Sequence, residues 1–401
     1  MTEEIQKRIE AIKAGKVPDG YKKAVVGIVP SEWQEKRLSD LLKFQNGVNA
    51  EKEKFNSGIK MISVMDILDE RPIVYDAIRG QVDIDEKALN NYSVTYGDIL
   101  FQRSSETVED AGKSNVYLDR DKTATYSGFV IRGKKIADYD PVYLNELLKT
   151  TGVRQQIIKY AAGSQHINVS QDSLARVRVC LASEEEQQLI AEVLSKWGQA
   201  IELQEKLIEK LELQKKALMQ RLLTPTEDWE KFKVKDLFSI TRGNVLAAEE
   251  CDNSYQFPVY SSQTKENGLL GYYNKFLFEN AITWTTDGAN AGKVTYRDGK
   301  FYCTNVCGVL INEGGYANPC FAYLLDRVTP NYVSYIGNPK LMNNVMANIT
   351  VTVPPLEEQK KFSKYIVLVD GHVQKNIDML KILKQQQKTI QQLLLTGIVR
   401  V

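Results

Sequence analysis

The sequence has no uninterrupted apolar run near the roughly 18 residues that a membrane-spanning helix requires. Its N-terminal stretch, MTEEIQKRIEAIKAGK, is charged throughout and has no apolar region typical of a secretory signal peptide. Net charge is also nearly absent, because 52 Lys and Arg residues are balanced by 51 Asp and Glu residues. We therefore expect a cytoplasmic protein, in which any binding to nucleic acid depends on locally concentrated charge or on a more basic partner.

Histidine and cysteine are scarce, which limits metal chemistry. The histidines are His166 and His372, and the five cysteines are Cys180, Cys251, Cys303, Cys307 and Cys320. An odd number of irregularly spaced cysteines in a cytosolic chain indicates free thiols. Cys303 and Cys307 form a CxxxC pair, which we interpret as small buried residues on a strand rather than a zinc site.

Catalytic motifs are missing as well. Gly112-Lys113 lacks the context of a phosphate-binding loop, and there is no HExxH motif or evident pair of catalytic carboxylates. An adenine methyltransferase would need a glycine-rich cofactor loop and an Asn/Asp-Pro-Pro-aromatic tetrad. The nearest approach, Asn318-Pro319-Cys320-Phe321, lacks the second proline. We expect no catalysis, cofactor or metal in this chain, and a methyltransferase with its own target domain is an alternative that S-adenosylmethionine binding would reveal.

What the sequence does contain is an internal repeat. SEWQEKRLSDL around Trp33 matches EDWEKFKVKDL around Trp229 with an offset of 196 residues. Glu185-Glu186-Gln187 matches Glu357-Glu358-Gln359, and the match continues without a gap to Leu-Leu-Thr, with an offset of 172 residues. The difference between the offsets gives the first copy 24 extra residues in its globular part.

Each copy has a β-rich globular part followed by a helix of fixed length. Glycine- and asparagine-rich turns separate the predicted strands, which are Lys60–Ile67, Asp98–Gln102, Phe129–Arg132, Ala281–Trp284 and Val306–Ile311. The helices are predicted at 184–223 and 356–395, each containing one glycine and no proline. The predicted domains are 1–182 (with an N-terminal arm, 1–28), 183–224, 225–354 and 355–401.

Both helices carry apolar residues at alternating steps of four and three, which predicts a heptad seam. The seam residues in the predicted helix pair include Trp197, Ile201, Ile208, Leu211, Val373, Leu380, Leu383 and Ile390. Polar residues interrupt both seams at equivalent places. An antiparallel register that pairs Gln204 with Gln387 and Lys215 with Asn376 would let these four residues meet each other, since burial against leucine leaves their hydrogen bonds unmade. Alternatively, they lie on a wet flank that faces a partner.

These features together resemble the specificity subunits of type I restriction enzymes. In the first copy the resemblance covers GYKKAVVGIVPSEW (20–33), GIKMISVMDI (58–67), GDILFQRS (97–104) and GSQHINVSQDSLARVRVCLASEEEQ (163–187). In the second copy it covers EDWEKFKVKDL (227–237) and GNPKLMNNVMANITVTVPPLEEQ (337–359). The first copy departs from the family at Leu181-Ala182-Ser183, where a proline-rich turn is usual, and the second at Glu279-Asn280.

The resemblance implies an α+β fold with two similar mixed α/β target recognition domains. Two long antiparallel coiled-coil helices would separate these domains and give the chain a pseudo-two-fold axis. It also implies binding to double-stranded DNA, to methyltransferase subunits, typically two, and to restriction/translocase subunits, with S-adenosylmethionine, ATP and Mg²⁺ bound by those partners. A helix of about 38 residues is about 57 Å long, enough to hold two readers on separate segments of one duplex.

Polar loops at strand ends are the predicted DNA contacts, because base edges are read by Arg, Lys, Asn, Gln, Ser or Thr. One loop in each copy follows a strand and returns at Ala-Gly-Lys. A second loop in each copy, Ser164-Gln165-His166 or Asn338-Pro339-Lys340, precedes the last strand, and there a structural role is equally open. The residues predicted to bind DNA are Arg103, Ser104, Lys113, Arg132, Gln165, Arg242, Thr286, Lys293 and Lys340. A coiled-coil scaffold without DNA specificity is the remaining alternative; it would not need polar strand-end loops in both copies.

Overall fold

A computed structural model of the chain describes residues 3–49, 51–161, 167–262 and 266–401. Contacts divide the chain into two compact units, and both long helices pass through both units. Unit 1 comprises residues 1–205 and 379–401, and unit 2 comprises residues 206–378. The repeat-based boundaries at 182, 224 and 354 describe the sequence copies, and they stay a prediction. Among the described residues, no helix is long and apolar enough to cross a membrane.

Twelve α-helices are found in the described part of the chain. They are α1 Glu3–Lys13, α2 Leu38–Leu41, α3 Val64–Leu68, α4 Glu86–Asn91, α5 Pro141–Leu148, α6 Thr151–Tyr160, α7 Gln171–Ala175, α8 Glu184–Leu222, α9 Val234–Leu237, α10 Pro319–Val328, α11 Asn343–Asn348 and α12 Leu356–Leu395. The two predicted long helices correspond to α8 and α12, which have 39 and 40 residues.

The strands of unit 1 are β1 Tyr21–Ala24, β2 Gly27–Pro30, β3 Gln34–Arg37, β4 Leu42–Asn46, β5 Phe55–Ile62, β6 Gln81–Val82, β7 Ile99–Gln102, β8 Ser104–Ser105, β9 Ser114–Val116, β10 Thr125–Tyr126, β11 Val130–Lys135, β12 Ile167–Asn168 and β13 Arg178–Leu181. Those of unit 2 are β14 Glu230–Lys233, β15 Ser239–Arg242, β16 Phe257–Tyr260, β17 Leu269–Tyr273, β18 Phe278–Thr285, β19 Val294–Cys303, β20 Cys307–Ile311 and β21 Thr350–Val353. One strand prediction is partly wrong. The predicted strand Lys60–Ile67 ends at Ile62, because Ser63 and Asp66 form a capping box that starts α3.

The two units share one topology. Unit 1 has an antiparallel sheet in the order β4-β11-β7-β9, and unit 2 has the same arrangement in the order β15-β20-β18-β19. A two-stranded antiparallel ribbon accompanies each sheet, formed by β3 with β13 and by β14 with β21. The predicted similarity of the two globular parts is therefore confirmed at the level of strand order.

The units differ in the segment that connects the first two strands of the shared sheet along the chain, β4 to β7 in unit 1 and β15 to β18 in unit 2. Unit 1 inserts β5, α3, β6 and α4 there, and β5 and β6 form a separate sheet with β10. In the described part of unit 2, the same segment contains two short 3-10 helices and the strands β16 and β17, which extend the main sheet beside β19. This region accommodates extra length in the first copy without changing the shared strands.

The repeated Glu-Glu-Gln motif joins each long helix to its globular part. Gln187 accepts a hydrogen bond from the backbone of Asp140, the N-cap of α5, at 3.0 Å. Gln359 accepts one from the side chain of Asn318, the N-cap of α10, at 2.9 Å. Both glutamines are buried, and each also donates to a backbone carbonyl just before its own helix. The motif is therefore repeated because it makes the same structural joint twice.

Contacts in unit 1 join its N-terminal part, the start of α8 and the C-terminal end of the chain. The buried indole of Trp33 donates to Glu186 at 3.0 Å, and Arg400 donates to the same carboxylate at 2.9 Å. The Tyr21 hydroxyl donates to the carbonyl oxygen of Gly397 at 2.6 Å. In unit 2, Trp229 lies in a core with the end of α8, to which it is joined directly along the chain.

Within each unit, α8 and α12 are joined by an ion pair. Glu205 pairs with Lys384 at 2.7 Å in unit 1, and Lys215 pairs with Asp370 at 2.6 Å in unit 2. The predicted pairing of Lys215 with Asn376 is therefore wrong, because the lysine pairs with Asp370, which lies nearly two helical turns before Asn376 on α12. The Gln204–Gln387 pairing stays a prediction.

The predicted seam residues occupy the less exposed face of each long helix. Ile201 and Val373 are buried, whereas the others are partly buried: Trp197, Ile208, Leu211, Leu380, Leu383 and Ile390. Leu218, which the heptad spacing also predicts on the seam, one heptad after Leu211, is exposed, and its neighbour Met219 is instead buried in the core of unit 2. The pairing of individual seam residues stays a prediction.

Gly308 tests the packing of the shared sheet in unit 2. It lies opposite Trp284, and a Cβ at this position would come 2.2 Å from the buried indole ring. We expect Gly308→Ala to lower the free energy of unfolding by about 1–3 kcal/mol, because the ring has no room to move. Urea denaturation would measure the change.

Gly371 provides the matched control in the same unit. A Cβ there meets no atom within 4 Å, and the residue lies inside α12. We expect Gly371→Ala to raise the free energy of unfolding by about 0.5–1 kcal/mol through higher helix propensity. Equal stability of the Gly308→Ala variant and the native chain would contradict the packing described here.

Candidate nucleic-acid interface

The end of β7 in unit 1 is joined to the loop before α7. The carbonyl oxygen of Arg103 accepts a hydrogen bond from the backbone of Val169 at 2.9 Å. Beside this bond, β8 and β12 pair antiparallel, and the Ser104 hydroxyl donates to the Asn168 side chain at 2.6 Å. We call residues 103–105 with 167–169 the first loop pair. Of the two loops predicted in this copy, the second, Ser164-Gln165-His166, lies outside the described residues; the structure pairs the first loop with residues 167–169, which follow the second.

Unit 2 forms the same junction at the end of β18. The carbonyl oxygen of Thr286 accepts from the backbone of Leu341 at 2.9 Å, and Gly288 donates to the carbonyl of Pro339 at 3.0 Å. An isolated antiparallel bridge joins Asp287 to Lys340. We call residues 286–288 with 339–341 the second loop pair. Equivalent backbone bonds at equivalent strand ends thus build one frame twice.

The repeated Ala-Gly-Lys sequence closes the hairpin after each of these strands. The backbone of Gln102 donates to Lys113 at 2.8 Å, and that of Thr285 donates to Lys293 at 3.0 Å. The glycine before each lysine has a positive φ, and a Cβ there would come within 2.7 Å or less of a side chain. The glycine is therefore required by the turn.

The two lysines of this repeat are partly exposed and each has an acidic neighbour. Lys113 pairs with Asp110 at 2.5 Å, and this hydrogen bond lowers the pKa of the aspartate. Lys293 pairs with Asp326 at 2.6 Å, and its side chain is 57% exposed. A phosphate could compete for either cation because exposed ion pairs contribute little free energy.

Arg103 lies at the surface of the first loop pair. Its backbone donates to Phe129 at 3.0 Å, and its guanidinium donates to the carbonyl of Gly128 at 3.2 Å. The side chain is partly buried, and this is its one hydrogen bond among the contacts described for it. A guanidinium held at one end and open at the other fits the recognition of a base edge or phosphate.

Two of the residues predicted to bind DNA have buried side chains that are bonded within the protein. Arg132 is buried, donates to Gln45 at 2.9 Å and to the carbonyl of Ser93, and stacks on the ring of Tyr126. We therefore leave Arg132 out of the interface.

Thr286 is fully buried in unit 2. Its hydroxyl oxygen lies 2.7 Å from the Asp287 carboxylate and 2.9 Å from the carbonyl of Val306, and either group can accept its single proton. Strand periodicity could not predict this burial, because Thr286 follows the end of β18 and its contacts come from other segments of the chain. Asp287, which the sequence analysis did not select, is the more accessible side chain there.

The remaining predicted residues fall into three situations. Lys340 is 51% exposed and its ammonium lies 3.9 Å from Asp287. Arg242 ends β15 on the same sheet edge as the end of β18, since both strands run antiparallel to β20, and it donates to Asn343 at 3.0 Å. Gln165, like His166, lies outside the described residues.

The nearest approach to a methyltransferase tetrad has a structural role. Asn318 caps α10 by accepting a hydrogen bond from the backbone of Phe321 at 2.9 Å, and its amide is committed to Gln359 and Gly315. A catalytic asparagine would need its side chain free for the target amine. The five cysteines are free thiols, and burial raises the pKa of Cys307 to about 11, which disfavours the thiolate needed by zinc.

Comparison with known proteins finds one family in both halves of the chain. The family described as the type I restriction modification DNA specificity domain matches residues 30–213 and again residues 226–385. A putative type I restriction enzyme specificity subunit of Methanocaldococcus jannaschii is 25% identical over 419 residues, covering 96% of this chain and 97% of that protein. A putative type I specificity subunit of Mycoplasma pneumoniae is 41% identical over 139 residues, which span 34% of this chain and 38% of that relative.

Solved structures share the fold. The type I restriction–modification S subunit from M. genitalium superposes with a TM-score of 0.63 at 17% identity, covering 90% of this chain and 96% of that chain. A chain from a structure of type I R-M complex assembly superposes with a TM-score of 0.55 at 11% identity, covering 92% and 99%.

Proposed function

Because the chain belongs to the type I restriction–modification DNA specificity family, we propose that it is the specificity subunit of such an enzyme and reads a bipartite sequence in double-stranded DNA. Each unit would read one half of the target through its loop pair. The chain would act in the cytoplasm and contribute no catalysis of its own.

The observation that carries this proposal is the duplicated loop pair. A frame of backbone hydrogen bonds recurs just after the equivalent central strands, β7 and β18, from Val169 to Arg103 and from Leu341 to Thr286. Loops fixed by their backbones can present side chains to DNA in a defined position, and the backbone pattern does not depend on which side chains they are. A plain scaffold would have no need for this frame in both units.

The side chains on the two frames differ, which supports an asymmetric target. The first pair presents Arg103, Ser104 and Asn168, and the second presents Asp287 and Lys340. Arginine and lysine favour guanine, asparagine favours adenine, and aspartate can accept from cytosine. The two half-sites would therefore have different sequences.

Partner subunits would bind to the long helices. Outside the seam, these helices expose large apolar side chains, which include Leu203, Met379 and Ile382 in unit 1 and Leu213, Val367 and Leu368 in unit 2. Exposed apolar groups on a helix face commonly mark a protein interface. We propose that two methyltransferase subunits cover these faces and that restriction/translocase subunits join them. S-adenosylmethionine, ATP and Mg²⁺ would bind to those partners.

Arg103→Ala tests the reading of one half-site. With methyltransferase partners present, we expect binding of the bipartite target to weaken about 5- to 150-fold, the equivalent of about 1–3 kcal/mol for one base-edge contact. The loss should relax the half-site read by unit 1 and leave the other unchanged. Competition binding with single-base variants of each half-site would measure both effects.

Two further variants control this experiment. Arg120 stacks on Tyr96, which precedes β7 at the opposite end of that strand, so Arg120→Ala should leave binding unchanged. Lys293→Ala should weaken binding to all sequences and reduce the salt dependence by about one phosphate contact. If Arg103→Ala changes only the salt dependence, Arg103 contacts phosphate and does not read bases.

Leu368→Asp tests partner binding. Leu368 is 71% exposed on α12, so a carboxylate there should leave the chain folded while it disfavours burial beneath a partner. We expect at least about a tenfold loss of affinity for the methyltransferase subunit, the equivalent of about 1.4 kcal/mol. Gln214→Asp places the same charge on an exposed polar position of α8 and should assemble normally. Equal assembly by both variants in analytical ultracentrifugation would place the partner elsewhere.

A further inference from the structure

A short hairpin projects from the second loop pair. Ser334 and Lys340 exchange both backbone hydrogen bonds, each at 2.9 Å, and close residues 335–339 into a tip. Gly337 has a φ of 75°, a conformation that suits glycine and lets the tip turn. Because Gly288 also donates to Pro339, the hairpin is fastened to the frame that follows β18.

The tip carries two large apolar side chains in the open. Ile336 is 94% exposed and Tyr335 is 69% exposed. Neither contributes much to the core of unit 2, since burial is what makes an apolar side chain stabilise a fold. Two exposed apolar side chains and the ammonium group of Lys340, a residue of the proposed interface, therefore lie on the same hairpin.

We propose that this hairpin tip enters a groove of double-stranded DNA, where Ile336, with Tyr335 beside it, makes apolar contact with bases of the half-site read by unit 2. The inference rests on the proposed function and adds a specificity-determining element to it. Apolar side chains recognise DNA by packing on the thymine methyl group or by wedging at a base step. The basic Lys340 at the base of the hairpin would lie where the phosphate backbone borders the groove.

Unit 1 exposes an apolar side chain at its own corresponding edge. Phe129 is 67% exposed and precedes β11, and its carbonyl accepts a hydrogen bond from the backbone of Arg103. It therefore adjoins the first loop pair as Ile336 adjoins the second. Each unit would then combine polar contacts from its loop pair with an apolar contact, which comes from the segment before β11 in unit 1 and from the hairpin tip in unit 2.

The test compares Ile336→Ala with Ile136→Ala in the full chain assembled with its methyltransferase partners. Ile136 is 54% exposed and follows the C-terminal end of β11. The N-terminal end of β11 pairs with the end of β7 beside the first loop pair, so Ile136 is a comparable exposed isoleucine that lies far from the proposed DNA contact. We expect Ile336→Ala to weaken binding of the bipartite target about tenfold, through the apolar area no longer buried. Its salt dependence should not change because no charge is lost. Discrimination within one half-site only should relax.

Four outcomes would overturn the inference. Binding by Ile336→Ala within about twofold of the native complex would show that the tip does not contact DNA. Loss of methyltransferase assembly in this variant, with Ile136→Ala normal, would show that the tip binds a protein partner. If the native complex itself does not distinguish its target from random DNA, the proposed function fails, and this inference fails with it. If the native complex discriminates and Ile336→Ala does so equally well, only the inference fails.

Discussion

One backbone hydrogen bond in each unit defines the proposed reading surface. It joins the residue that follows a central strand to the residue just before the N-cap of a short helix, as Arg103 to Val169 and as Thr286 to Leu341. Backbone donors and acceptors must be satisfied wherever water is excluded, whatever side chains they carry. The frame can therefore persist while the side chains on it differ, as they do between the two units.

The surrounding contacts explain why this bond forms at the same place twice. Antiparallel neighbours fix the ends of β7 and β18, and the hairpin that closes at Ala-Gly-Lys returns beside each end. In unit 2 the buried Trp284 indole also donates to the carbonyl of Leu341 at 3.0 Å and so supports the second loop from below. Each frame is thus built on a rigid sheet, and this limits the movement of the side chains that would contact DNA.

Much of this organisation could be predicted from the sequence because it depends on periodicity and repetition. The long helices, most of the predicted strands and the strand-end loops closed by Ala-Gly-Lys follow from apolar spacing, glycine positions and the two offsets. Local burial could not be predicted in the same way. Arg132 is of a residue type that often contacts DNA, yet it is buried beside the ring of Tyr126. Lys215 likewise forms an ion pair with Asp370 and not the predicted contact with the Asn376 amide. The position of a residue on the seam does not reveal which charged group it will pair with.

The central claim is that two units read two separate DNA segments. It is tested most directly by expressing the chain with its methyltransferase partners in a host without adenine methylation and sequencing the methylated adenines. The proposed function predicts one recurring motif with two short, different, specified segments at a fixed separation, because each loop pair would read one segment of a bipartite target. Methylation at a single uninterrupted motif, or at adenines without a shared sequence, would contradict it.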